Sequence, residues 1–323
     1  MVLVYVDDNA IAGTDEWRNK IIDALKTEFR AKDLGVASRY IGISIEYRPN
    51  GIYLHQKEDI LDFLKKQRCS NMTPLKTPFN EYTHEEIANA EPVDQTTFRS
   101  LIGSLMWYAL STRPDIIFTV TTRAQFQAKP TKLAMSCARR ILRYLTGTLD
   151  IGIFIPYPKN ESEPNFVLTP YADASFAVPI LGSRSASGVV FMLNGTPIHW
   201  ISRKQRLVAL SSTESEIISA SLCAQELLWI LQILQPIIQL TLPISMMIDN
   251  LSMKYIAESR LVSHRTKHLE IRYLFVKQLL LDYPVHLKWI PSEENIADIL
   301  TKYFTTVGTF VGLVRKLASD RQH

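Results

Sequence analysis

Two runs of strand-forming residues, 187–193 and 196–202, are separated only by Asn194-Gly195. Asn-Gly reaches the positive φ that a two-residue type I′ turn needs, so the runs are expected to fold back as an antiparallel hairpin. A third run, Phe166-Val167-Leu168, leads into Tyr171-Ala172-Asp173-Ala174-Ser175. It predicts another strand of the same meander, with Asp173 at its end and left uncrowded by small neighbours. After the meander, helical spacing over 213–234 predicts a long helix. An apolar strand is expected at 244–249, a short helix at 253–258, a helix at 267–281, a strand at 284–290 and a last helix at 293–301. Hairpin-linked strands followed by alternating helices and strands imply an α/β (α+β) fold, a mixed sheet with helices on its faces.

The first half has a different pattern. Residues 1–13 read as a hairpin with Asp7-Asp8-Asn9 at its tip; Asp and Asn are turn formers, so a solvated turn is the plain reading. A helix is expected over 14–29. A second hairpin spans 40–47 and 52–55, around Arg48-Pro49-Asn50-Gly51. A basic amphipathic helix follows at 59–66, then a connection rich in Pro, Thr and charge at 72–91. Helices are expected at 98–110 and, after the break at Arg113-Pro114-Asp115, to Phe126. Another is expected at 132–145. It carries Arg139, Arg140 and Arg143, a face suited to phosphates or simply to solvent. Glycines and prolines crowd 147–164. The expected organisation is therefore 1–150, 161–305 and a tail at 306–323.

With 323 residues the chain has room for about two domains. Its apolar residues fall in runs shorter than the roughly 18 of a membrane helix, and no basic stretch opens a signal peptide. Cys69, Cys137 and Cys223 are odd in number and far apart, which speaks against a disulfide framework or zinc cluster and for a reducing compartment. A net charge of +4 permits an anionic partner without demanding one.

Four carboxylates fall where such a fold could gather them: Asp173, Glu216, Asp249 and Asp298. Hydrolysis of a phosphodiester needs an activated water and relief of charge on the leaving oxygen, and two divalent ions can do both. Mg²⁺ takes oxygen ligands and keeps several waters, so a few convergent carboxylates suffice. Each residue also has a blander reading. Asp249 before Asn250 could cap a helix, and Asp298 could lie on a helix surface. Glu214 and Glu216 could each complete a capping box, with Ser211 and Thr213 respectively. The apolar stripe Ala220, Cys223, Leu227, Leu231 extends from Glu216 and favours it as the residue facing the sheet. Glu214 is the alternative.

The chain also resembles the C-terminal part of the Pol polyprotein of copia-type long-terminal-repeat retrotransposons. The resemblance rests on ordered blocks from Tyr5-Val6-Asp7-Asp8, Lys32-Asp33-Leu34-Gly35 and Tyr40-Ile41-Gly42-Ile43, through the stretch 98–105, Thr112-Arg113-Pro114-Asp115-Ile116, the stretches 140–145, 210–216 and 265–273, to Ala297-Asp298-Ile299-Leu300-Thr301-Lys302. It implies a partial reverse transcriptase palm and thumb followed by a ribonuclease H domain. Asp7 and Asp8 would be metal-binding residues of the polymerase, and the second hairpin would be similar to the primer grip. Asp173, Glu216, Asp249 and Asp298 would hold two Mg²⁺ or Mn²⁺ ions for hydrolysis of RNA in an RNA–DNA hybrid. Arg203, Lys204 and Arg206 would join Arg139 and Arg143 in contacting nucleic acid.

The resemblance further implies the rest of the Pol polyprotein as a partner, no membrane, and a location in the cytoplasm, in virus-like particles, or in the nucleus. Family polymerases need a metal-binding aspartate upstream of the Tyr5–Asp8 block, so a truncated and inactive polymerase is expected. Many ribonucleases H carry a His in the loop before the last helix, where this chain has Pro291-Ser292-Glu293-Glu294; His264 or His268 could substitute. The alternative to an enzyme is a non-catalytic transposon remnant that binds nucleic acid at most.

Overall fold

The computed structural model describes residues 1–69, 71–158, 165–258 and 267–318. The N-terminal hairpin, β1 (Val2–Tyr5) and β2 (Asp8–Ile11), forms a two-stranded sheet of its own. Val6, at φ 50°, turns the chain at its tip. Helix α1 (Asp15–Glu28) follows and buries none of its residues. Strands β3 (Arg39–Tyr40), β4 (Ile43–Arg48) and β5 (Gly51–His55) make an antiparallel set, as the second hairpin predicts.

Helix α2 (Lys57–Lys66) begins two residues earlier than expected, and the supposed connection contains α3 (His84–Ala88). Thr83 and Glu86 close a capping box on α3, which explains why a polar stretch still starts a helix. Helices α4 (Gln95–Ser111), α5 (Ile117–Ala124) and α6 (Lys132–Thr146) pack around α2 and α3. The Thr112–Ile116 block has a structural use. Arg113 and Asp115 are fully buried and paired at 2.7 Å, and Tyr144 donates to the same carboxylate at 2.7 Å. Strand β6 (Ile153–Pro156) then joins the edge of β5.

The second half is built on a five-stranded sheet in the order β11-β10-β7-β8-β9. Strands β7 (Leu168–Val178), β8 (Arg184–Leu193) and β9 (Thr196–Lys204) form the meander. Asn194 and Gly195 both have positive φ, 50° and 77°, as the Asn-Gly turn requires. Helix α7 (Ser212–Leu234) leads to β10 (Ile244–Ile248), which runs parallel to β7. Helices α8 (Leu251–Glu258) and α9 (Lys267–Asp282) follow, and β11 (Val285–Trp289) runs parallel to β10. This is the expected mixed sheet.

Three expectations need correction. Asp173 lies in the middle of an eleven-residue strand, because the small residues after it continue the pairing with β8 through Ser175. The last helix is two short 3-10 turns, Ser292–Glu294 and Ile296–Leu300. And α7 is long and apolar enough to cross a membrane by length and composition. Its apolar residues, Ala220, Cys223, Leu227 and Leu231 among them, are buried against the sheet.

The two faces of that sheet meet different cores. On one face, Leu168, Ala172, Val189 and Phe191 pack with α7, α9 and the parallel strands. On the other, Ala186, Val190 and Met192 join one continuous core with α2, α4, α5 and α6. The stretch expected to be a tail contains helix α10 (Val307–Leu317), whose Phe310, Leu313, Val314 and Leu317 fill that same core. Polar bonds cross it too: Trp200 Nε1 donates to the Ala109 carbonyl at 2.8 Å, and Ser202 Oγ to that of Leu300 at 2.7 Å. All three cysteines are free and buried.

Candidate active site

Side chains alternate along a strand, so Ala172 points into the α7 core and Asp173 to the opposite face. Asp173 pairs in register with Gly188. A Cβ on Gly188 would come within 2.6 Å of the Thr301 methyl and 2.9 Å of the Ala297 carbonyl oxygen. The glycine thus lets the 3-10 turn Ile296–Leu300 lie directly on the sheet, which brings Asp298 over Asp173. Asp249 arrives from the parallel side, one residue beyond β10. Among the described residues, Asp173, Asp249 and Asp298 offer carboxylate oxygens that lie within 4.8 Å of one another.

The neighbours of the three aspartates hold them there. Thr301 Oγ1 donates to Asp173 Oδ2, and Ser219 Oγ to the Asp173 carbonyl at 2.6 Å. Asn295 is fully buried. Its Nδ2 donates to the Ala172 carbonyl at 3.0 Å, while its Oδ1 accepts from the Ala297 N–H. Trp289 Nε1 donates to the Asp249 carbonyl at 3.0 Å. Asn250, not Asp249, caps α8, accepting from the Met253 N–H at 2.8 Å. The bland reading of Asp249 as a cap therefore fails, and its carboxylate is left for the cluster.

The two glutamates divide. Glu214 is buried and folds back, accepting from the Leu210 N–H at 2.7 Å, while its own N–H donates to Ser211 Oγ. It is a capping residue beside Ser211, as its position allowed, and not the alternative ligand. Glu216 stands beside the aspartates and accepts from the Ala174 N–H, on the side of β7 where no strand pairs beyond Tyr171.

Asp173 and Asp298 are buried and Glu216 and Asp249 half-buried, and carboxyls gathered this closely disfavour one another's ionised form. Burial pushes Glu216 up to about 10, helped by the charges of Asp173 and Asp249. Burial and Asp173 push Asp298 up to about 8. Asp173 is raised chiefly by burial. Lys302 enters the cluster with Nζ 2.7 Å from Asp298 Oδ1, an ion pair outside hydrogen-bond angles. Buried without a hydrogen-bond partner, Asp249 Oδ1 is an oxygen in want of a cation. An all-oxygen donor set of this kind fits Mg²⁺ or Mn²⁺.

Other expected site residues lie apart. Asp7 and Asp8 are exposed at the tip of the isolated β1–β2 sheet. Arg203 and Arg206 are exposed at the end of β9, and Arg203 pairs with Ser187, the partner of Ala174 in β7. Lys204 is committed to Gln125 Oε1 at 2.8 Å. Arg143 holds the Thr73 carbonyl at 2.9 Å and so ties down the connection, while Arg139 is exposed. His264 lies outside the described residues, and so does the side chain of His268. Sequence reasoning assigned no role to Thr301, Lys302, Asn295 or Ser219. The first two stand in the quoted block 297–302, which was the available signal.

No family model matches the chain. It is 33% identical over 304 residues to the retrovirus-related Pol polyprotein from transposon RE1 of Arabidopsis thaliana, covering 93% of this chain and 20% of the relative. It is 31% identical over 233 residues to a putative transposon Ty5-1 protein of Saccharomyces cerevisiae, covering 70% of this chain and 73% of the relative. The chain spans about a fifth of the length of the first curated relatives it matches. Among solved structures, the foamy viral protease-reverse transcriptase in complex with RNA/DNA hybrid aligns over 90% of this chain and 36% of that one, with TM-score 0.51 and 15% identity.

Proposed function

The chain belongs to the Pol polyproteins of copia-type retrotransposons, and from that premise we propose that its second half is a metal-dependent ribonuclease H that cuts the RNA strand of an RNA–DNA hybrid. The observation that carries this reading is the convergence of Asp173, Asp249 and Asp298, with Glu216 beside them. Two divalent ions, Mg²⁺ or Mn²⁺, supply the activated water and relieve charge on the leaving oxygen. Asp173 on β7 and Asp249 just past the end of β10 would hold them, Glu216 would complete the set from α7, and Asp298 would bind more loosely from its 3-10 turn. Thr301 and Ser219 keep Asp173 in one orientation. Arg203 and Arg206 grip the backbone of the hybrid. A-form geometry and the 2′-hydroxyls, not base sequence, select the strand. The rest of the Pol polyprotein is a partner in this reading.

Incubation of the protein with a labelled hybrid in Mg²⁺ should release RNA fragments, and the Asp173→Asn variant should release none. Cleavage by that variant, or by wild type in excess chelator, would sink the proposal.

The polymerase segment is silent by itself in this reading. Asp7 and Asp8 are solvent-exposed, and no third carboxylate among the described residues joins them as in the Asp173 group. Primer extension on an RNA template should give no product; extension by the purified chain refutes this.

A further inference from the structure

Lys302 lies between two environments. Its ammonium touches the acidic cluster, 2.7 Å from Asp298 Oδ1, where the Asp298 side chain is only 10% exposed. The preceding residue, Thr301, donates to Asp173, so one short turn delivers a carboxylate, a positioning hydroxyl and an ammonium to the same place. On its other side Lys302 lines a cavity of about 390 Å³, walled by Tyr82, Ser175, Phe176 and Tyr303 and reached by Glu81. A lysine has a flexible four-carbon stem and a compact charge, so it can move between the two without backbone rearrangement.

An ammonium on a carboxylate oxygen competes electrostatically with a divalent ion for that oxygen. Their like charges repel at this range even at the effective dielectric of a protein surface. We propose that Lys302 is a built-in counter-cation of the carboxylate site, neutralising Asp298 when no metal is bound and moving into the adjoining cavity when metal enters. The residue thereby weakens metal binding while holding the metal-free site together. The proposal rests on reading the cluster as a metal site.

Titration of MgCl₂ into the full chain, followed by calorimetry, tests it. Lys302→Met should bind Mg²⁺ about tenfold tighter than wild type, and Lys302→Arg, which keeps the charge, should stay near wild type. In excess chelator Lys302→Met should melt below wild type, and saturating Mg²⁺ should raise its Tm by more. Lys302→Gln carries the same expectation should the methionine variant not fold. Equal or weaker Mg²⁺ affinity in a natively folded Lys302→Met or Lys302→Gln overturns the proposal and leaves the metal site standing. Absence of Mg²⁺ binding by wild type overturns both.

Discussion

Glu214 and Glu216 stand two residues apart, and the roughly 200° between such positions sends one to the loop before α7 and the other to the aspartates. Glu216→Gln should lose most hybrid cleavage and keep its fold. Glu214→Gln should keep most activity and lose about 1 kcal/mol of stability, the usual size of a cap effect. Urea unfolding beside a cleavage assay separates the two, and the reverse pattern would move the metal ligand to Glu214. The same residue sets a pH dependence. Burial lifts Glu216 from 4.5 to about 10. A carboxyl raised in the folded state stabilises below its unfolded pKa, and that contribution is lost as pH rises through the folded value. In chelator, therefore, Tm should fall between those two values, and Glu216→Gln should flatten the slope. A pH series of thermal melts, with and without Mg²⁺, checks this.

At the scale of elements, the site depends on how closely the 3-10 turn Ile296–Leu300 approaches β8. Gly188 makes that approach possible, since any Cβ there meets Thr301 and the Ala297 carbonyl below van der Waals distance. Gly188→Ala should cost roughly 1–3 kcal/mol as an overpacked site. It should also lower cleavage by lifting Asp298 and Thr301 from Asp173. If the substitution reduces stability and leaves Mg²⁺ affinity and cleavage unchanged, the turn does not position the site. The parallel strands matter in a different way. Because β10 stops at Ile248, the chain turns there and leaves Asp249 beside the middle of β7 rather than at its tip.

At the scale of the whole molecule, the first core joins the α4–α6 bundle, one face of the five-stranded sheet and α10. Phe310 sits against Phe79 and Tyr144 with ring centroids 5.3 and 5.8 Å apart and is 1% exposed. Phe310→Ala should cost about 3–5 kcal/mol. Because that core is shared, the loss should appear in both halves: melts followed by far-UV circular dichroism and by tryptophan fluorescence should shift together. A shift confined to one probe would show that the halves unfold independently. The N-terminal hairpin and α1 contribute little to this core, with Val4, Tyr5 and Val6 all more than half exposed.

Residue order by itself determined the meander, through Asn194-Gly195, and the alternation of helix and strand after it, through apolar spacing. Both are local, written in turn chemistry and periodicity. The stripe below Glu216 was legible for the same reason: one helix carries it. What only the tertiary structure decided was non-local. Asp173 proved to be mid-strand, since the length of β7 is set by its partner β8 and not by its own small residues. The cap on α8 went to Asn250, which left Asp249 for the cluster. A supposed tail became a core helix because a distant bundle had a surface for it. Lys302 acquired its place among carboxylates from strands far away in sequence, a meeting of charges that no spacing along the chain records.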